Sequence, residues 1–432
     1  LFNFFRKSSA MAKEEPIAKV AKMDKVYLDY NATTPLAPEV QEAVIAAMKE
    51  AWGNPSSSSQ PGLKAKKIIA EARSNVAFMV GAKSADIVFT SGGTEGNNWI
   101  LQMALKYFRE YRSSDNGKND KGERGCESIP HFITSNVEHD SVKCVLEHFE
   151  EQGLAEVTYV PVSHKSGMVE VEDVISALKP NTIMITIMLA NNESGVIQPI
   201  TEISERLLRT VNQPLRTKRV LLHTDAAQAL GKIPVDATDL GVDFLTIVGH
   251  KFYAPRVGAV YIRNPNKDIP VYPMLFGGGQ ERDFRPGTEN TPMIAGLGRG
   301  AELIHENISK YESHMREVRD YLEEKLKKEF GSKIQINGKF STSQRLPNTC
   351  NFSFVKKGLV GHVVLSKVKF LQASVGAACH AQNKPSHILL AMGVSDALAR
   401  NALRLSVGRE TTKAEIDVVL QDLKETVETL MS

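Results

Sequence analysis

Several short stretches of this chain carry residue types able to do chemistry. TIVGHKFYAP (246–255) runs from an apolar, strand-like segment directly into His250 and Lys251. A lysine there either reaches water along its apolar stem or, held in a desolvated cleft, loses its proton and forms a Schiff base with a carbonyl compound. FTSGGTEGNN (89–98) reads as a strand, a glycine turn and a helix start. Gly92 and Gly93 let the backbone approach a ligand, and Thr94 with the first N–H groups of the helix forms an anion site. Such a turn is common, so by itself it does not specify phosphate.

HTDAAQALG places Asp225 at the carboxyl end of the run VLL, with Gln228 three residues on. Asp225 is either a helix N-cap or a carboxylate that keeps a pyridinium nitrogen protonated. His139, in NVEHDS after the run HFITS, is either a hydrogen-bonded structural residue or a ring that stacks on a flat cofactor and relays a proton. FGGGQERDFRPGTEN (276–290) carries Arg282, Arg285 and Thr288, and reads as a glycine-rich turn or as the wall of an anionic site. In ASVGAACHAQNKPSH (373–387), Cys379 is an inert buried thiol or a reactive one on the lip of a loop. Arg404, in NALRLSVGR, partners a surface carboxylate or clamps a substrate carboxylate bidentately.

Most of these residues follow apolar runs, and the runs are what must position them. DIVFT, HFITS, VTYVPV, TIMITIML, VLLHTD, VDFLTIV and VGAVYI alternate with amphipathic stretches. This pattern predicts an α/β domain with a mostly parallel sheet covered on both faces. Ligands of such sheets collect beyond the carboxyl ends of the strands, where the polar clusters fall. After residue 292, Ile304, Ile308, Tyr311, Met315, Val318, Leu322 and Leu326 step by fours and threes, predicting a long helix that leads to a smaller C-terminal α+β domain.

Bulk properties narrow the function. The chain has 432 residues, 42% hydrophobic and 24% charged, which suggests about two or three domains of a soluble globular protein. A net charge of +3 gives no reason to expect nucleic acid or a membrane surface as partner. TIMITIMLA (182–190) is too short to span a bilayer. Cys126, Cys144, Cys350 and Cys379 are too scattered for a disulfide framework or a metal cluster, which points to a reducing, cytoplasmic compartment. Residues 1–23 read as a leader or disordered segment, with Met11 and Met23 as candidate starts and a basic targeting peptide as the alternative. Residues 112–130 read as a flexible insertion.

Taken in order, LDYNATTP, FTSGGTEGNN, EHDS, ANNESG, HTDAAQALGK, GHKFYAP, GGGQERDFRPGTEN, SVGAACH and LRLSVGR resemble the NifS-like branch of pyridoxal-phosphate enzymes, the cysteine desulfurases and selenocysteine lyases, from about residue 25 to the C-terminus. The wording of PMLFGGGQERDFRPGTENTPMIAGLG and RLPNTCNFS is nearer to the selenocysteine-cleaving members. The resemblance implies fold type I: a large domain (38–300) with a mostly parallel seven-stranded sheet, and a small domain (24–37 and 301–432) carrying the cysteine loop. It also implies a homodimer with active sites at the interface, and L-selenocysteine as substrate. The products are L-alanine and selenium, taken by a reductant or by a selenium-accepting protein. The alternative is a cysteine desulfurase that forms a persulfide on Cys379.

The same resemblance implies roles. Lys251 is the Schiff-base lysine, Asp225 pairs with the pyridinium nitrogen, Gln228 contacts the phenolic oxygen and His139 stacks on the ring. Gly93, Thr94 and His250 hold the phosphate, joined by Thr288 of the second subunit. Asn192 and Arg404 bind the substrate carboxylate, and Cys379 is the catalytic cysteine. Two positions depart from the pattern. Val248 stands where desulfurases commonly carry a serine, so another donor must replace one phosphate hydroxyl. Asp140 stands where they carry a lysine. An acidic neighbour raises a thiol's pKa, which makes Asp140 a candidate contributor to selenium preference.

Overall fold

The computed structural model describes residues 25–114, 129–211, 219–376 and 384–432. The leader (1–23), most of the 112–130 insertion and Cys379 lie outside the described residues. The strands are β1 (Val26–Tyr27), β2 (Ile87–Thr90), β3 (His131–Ser135), β4 (Glu156–Val160), β5 (Thr182–Thr186), β6 (Leu221–Asp225), β7 (Phe244–Val248), β8 (Gly258–Ile262), β9 (Ile334–Asn337), β10 (Thr349–Phe354), β11 (Leu371–Gln372) and β12 (Ala402–Ser406).

Each of the apolar runs read from the sequence is a strand of one seven-stranded sheet, in the order β2-β8-β7-β6-β5-β3-β4. Only β8 runs antiparallel to its neighbours. Apart from the edge strand β4, which is only partly buried, the strands are buried throughout because both faces of the sheet are covered. The period of two along each strand divides them between two cores. Ile133, Ile185, Leu222 and Leu245 pack with Ile69 and Val76 of helix Gln60–Met79 and with Ile203 and Leu207 of helix Ile200–Thr210. Phe132, Met184, Leu221 and Phe244 face the opposite way, onto Trp99, Met103 and Phe108 of helix Gly93–Ser114 and Leu146 and Phe149 of helix Asp140–Glu151.

A second sheet, β12-β10-β9, is antiparallel, and β1 pairs in parallel with β11. Phe352, Leu403 and Leu405 form its core with Val26, Leu28 and helix Lys413–Met431. The unbroken 40-residue helix Thr291–Phe330 joins the two cores. Ile294, Leu297, Ala301 and Ile304 enter the large core, while Met315, Val318, Leu322 and Leu326 enter the small one. At 1.5 Å per residue this is a rod of roughly 60 Å. Among the described residues, no helix is long and apolar enough to cross a membrane, and no group of His, Cys, Asp and Glu is placed to hold a metal ion.

Candidate active site

The carboxyl ends of β2, β3, β5, β6 and β7 open into one cavity of about 270 Å³. At its head, Lys251 sits in a single helical turn directly after β7. Its Nζ donates to the carbonyl oxygens of Asn31 (2.8 Å) and Ala32 (2.9 Å), so the lysine points into the cavity and not into water. The segment at Asn31 and Ala32 therefore reaches across to the end of β7. Asn31 is 1% exposed and is itself held by the side chains of Asn348 and Thr349 and by Ser406. His250 joins the same contact, its Nδ1 lying 3.1 Å from Thr33 Oγ1. Burial, together with the positive charges of Lys251, Arg256 and Lys232, pushes the His250 imidazole down to about 4.

Opposite the lysine, the chain turns sharply through Gly92 and enters helix Gly93–Ser114, whose first residues, Gly93 and Thr94, line the cavity. An added Cβ on Gly93 would lie 2.5 Å from Val248 Cγ2, so the close approach of turn and β7 requires glycine. The Glu95 carboxylate accepts from the Ser91 N–H at 2.7 Å and pairs with Arg285 at 2.7 Å. The arginines of FGGGQERDFRPGTEN are thus not a wall of the anion site. Arg285 is used by Glu95, and Arg282 donates to the carbonyl oxygens of Ala85 and Ile87 on the rim of β2. Neither lines the cavity, because the loop is turned back by three left-handed residues, Glu281, Arg282 and Asp283. Thr288, on the same loop, is exposed and is not brought into the cavity of its own chain.

Asp225 ends β6 and is 7% exposed. The chain makes turns beyond it where the sequence suggested a helix, and Asp225 Oδ1 accepts from the Ala227 N–H at 2.9 Å. Its other oxygen accepts from Asn97 Nδ2 at 2.8 Å. Asn97 also donates to Ser141 Oγ (2.8 Å), and that oxygen lies 2.8 Å from His139 Nδ1. Because the Ser141 backbone N–H also donates to His139 Nδ1, this nitrogen is an acceptor and a neutral His139 carries its hydrogen on Nε2. One buried carboxamide thereby ties the ring of His139 to the carboxylate of Asp225. Asn97, Ser141 and Asn31 were given no role from sequence. Their motifs FTSGGTEGNN, EHDS and LDYNATTP were recognised, but a tertiary hydrogen bond leaves no local pattern.

Arg404 on β12 is 1% exposed, so it is not the surface ion pair that was one of its two readings. It donates to the Asn192 carbonyl oxygen (2.9 Å) and to Asp29 (2.7 Å), and its buried Nε has no acceptor among the described residues. Asn192 lines the cavity beside it, as does Gln228. Asp140 does not line the cavity: it opens helix Asp140–Glu151, and its charge acts on Lys143 and Cys144. Gly376 and Ser386, on either side of the undescribed residues 377–383, both approach Glu193, the neighbour of the cavity-lining Asn192. A Cβ on Gly376 would stand 3.0 Å from Glu193 Oε2, and Ser386 Oγ donates to Glu193 Oε2 at 2.5 Å. A larger groove of about 810 Å³, between helix Thr291–Phe330 and the segment 342–345, holds none of the candidate residues.

The donor set fits a flat, phosphate-bearing aldehyde. It offers an inward lysine nitrogen, a glycine turn at a helix N-terminus, a buried carboxylate opposite, and an arginine N–H left without an acceptor. Comparison with known proteins agrees with this class. Residues 26–419 match the aminotransferase class-V family, and the chain belongs to it. It is 58% identical over 415 residues to a selenocysteine lyase of Rattus norvegicus, covering 94% of this chain and 95% of that one. It is 41% identical to the cysteine desulfurase IscS of Dictyoglomus turgidum, over 94% and 95% of the two chains. A solved NifS-like protein, 32% identical, superposes with a TM-score of 0.81 over 94% of this chain and all of the other.

Proposed function

We propose that the protein is a pyridoxal-phosphate-dependent selenocysteine lyase, which converts L-selenocysteine to L-alanine and selenium. The observation that carries this reading is the convergence of Lys251, Asp225, Gln228, His139 and Arg404 on one cavity. The 58% identity to a selenocysteine lyase, against 41% to a desulfurase, supports selenium over sulfur.

In this reading Lys251 attaches the cofactor, Asp225 faces its pyridine nitrogen, His139 lies on its ring and Gln228 meets its phenolic oxygen. Gly93, Thr94 and His250 hold its phosphate, and Thr288 of a second copy completes that site. The bound cofactor supplies an electron sink at the substrate Cα. The chain's own residues do the rest. Arg404 and Asn192 fix the substrate carboxylate, and the Arg404 Nε–H gains an acceptor. Lys251 Nζ, once freed, is placed to take a proton from Cα. Cys379 assists loss of selenium as an acid or as an acceptor. The substrate CH₂–SeH becomes the CH₃ of alanine with selenium leaving at the level of the element, and a thiol reductant carries it to selenide. Asp140, next in sequence to the cavity-lining His139, disfavours a cysteine thiolate that comes near it, as burial and Asp140 together do that of Cys144.

Exposed apolar side chains at Met48, Trp52 and Phe276 support a homodimer whose interface includes the loop bearing Thr288. The scattered cysteines support a cytosolic location.

The test is alanine release by the purified, cofactor-loaded protein offered L-selenocysteine and L-cysteine separately, with Cys379→Ala alongside. Fast release from selenocysteine and little from cysteine supports the lyase. Comparable turnover of cysteine moves the assignment to a desulfurase. Unchanged preference in Asp140→Lys removes Asp140 from the account of selectivity.

A further inference from the structure

Lys232 closes the stretch HTDAAQALGK and is only 3% exposed. Among the described residues it has no ion-pair partner. Its Nζ instead lies 2.9 Å from the backbone oxygen of Gln228 and 3.1 Å from Gln228 Oε1. A charged lysine nitrogen can only donate and a neutral one still has hydrogens for both oxygens; because the Asn31 carbonyl can take only the NH₂ end of the amide, Gln228 turns its amide oxygen toward Lys232. The NH₂ group then faces the other way, where it donates to the Asn31 carbonyl oxygen at 3.0 Å. The second amide hydrogen remains for the cavity that Gln228 lines. The same Asn31 oxygen accepts from Lys251 at 2.8 Å, so the buried lysine is linked through one carboxamide and one carbonyl to the lysine at the cavity head.

A free glutamine has no such preference, since its oxygen and nitrogen ends exchange by a half-turn of the amide. Packing alone does not account for Lys232 either. Burial, with the positive charges of Lys251 and Arg404 nearby, holds its pKa well below the usual lysine range. A methionine would fill the same space without placing an amine there.

We propose that Lys232 is a positioning residue that locks the Gln228 carboxamide with its NH₂ toward the cavity, so that the protein presents a donor to an oxygen of the bound cofactor. This rests on pyridoxal phosphate being that cofactor.

The experiment measures equilibrium binding of pyridoxal phosphate to the apoprotein, by the change in cofactor absorbance, together with the melting temperature of the apoprotein. K232M should bind about ten-fold more weakly while melting no lower than wild type, a split that a merely structural role would not produce. K232Q, whose amide can still donate to Gln228 Oε1, should stay within about two-fold of wild type. Q228E removes the donor whatever residue 232 is, so adding K232M to it should cause no further loss of affinity. Wild-type affinity in K232M, or independent losses that multiply in the double variant, would overturn the inference. Should K232M fail to fold, loss of binding in K232Q equal to that in Q228E would overturn it equally. If the wild-type apoprotein does not bind pyridoxal phosphate, the proposed function fails first and takes this inference with it.

Discussion

Gly93 and Val248 are complementary across the anion site: a Cβ on Gly93 would stand 2.5 Å from Val248 Cγ2. The glycine turn after β2 and the last residue of β7 can meet only because one of them has no side chain. Gly93→Ala should therefore weaken binding of pyridoxal phosphate about ten-fold or more, in line with an overpacking cost of about 1–3 kcal/mol. Val248→Ala removes the clashing methyl, so the double variant should recover most of that loss. Equilibrium titration of the four proteins checks the coupling; additive losses would mean that the two residues do not interact.

Lys251 Nζ is held at the cavity by the carbonyl oxygens of Asn31 and Ala32, and an alanine in its place keeps neither the reach nor the nucleophile. Lys251→Ala should abolish the visible absorbance of the loaded protein and lower alanine release by about 10³-fold or more. Absorbance spectra and single-turnover assays check it.

Arg404→Lys should raise KM for the amino acid by about 10- to 100-fold with a smaller effect on kcat, because lysine keeps the charge near Asp29 and loses the Nε–H that has no acceptor among the described residues. Initial-rate kinetics separate the two parameters. An unchanged KM would leave the guanidinium as a structural partner of Asp29 alone.

Two buried groups tilt stability with pH in opposite senses. Burial pushes the His223 imidazole down to about 4 from 6.5, so its neutral form is favoured in the fold. That stability is complete above 6.5 and is lost as pH falls toward 4. Burial, reinforced by the charge of Asp225, pushes the Glu138 carboxyl up to about 8 from 4.5, so its contribution is complete below 4.5 and is lost as pH rises through 8. Between 6.5 and 8 only the second of these two acts. Thermal melts should therefore show a decline over that range that is shallower in Glu138→Gln, each effect being on the order of a few kcal/mol at most. His223→Gln should flatten the limb below 6.5 and leave the upper one alone.

Much of the architecture was legible as pattern. Continuous apolar runs such as FLTIV could only be strands buried on both faces, and residues placed just after them, Lys251 and Asp225 among others, had to gather on one edge of the sheet. What escaped was whatever depends on a partner far along the chain. Asn97 is one turn into a helix and reads as an ordinary polar residue, yet it holds Asp225, 128 residues away. Arg404 sits on an alternating strand that looks half exposed, yet β10 pairs beside it and Asp29 accepts from its guanidinium. The arginines at 282 and 285 were misplaced for the same reason. Charge density suggested an anion, whereas the left-handed turn at 281–283 directs them back to Ala85, Ile87 and Glu95.

The 40-residue helix that enters both cores has a further consequence. Each helical residue advances the azimuth by about 100°, so the rod acts as an angular gauge between the sheet carrying Lys251 and the sheet carrying Arg404. One residue inserted between Ile304 and Met315 would leave every cavity residue chemically intact. It would nonetheless rotate Met315, Val318 and Leu322 out of phase with Ile294, Leu297 and Ala301, and either unwind locally or put the two sheets out of alignment. The spacing of the catalytic groups is thus dialled by the count of residues in a stretch that touches none of them.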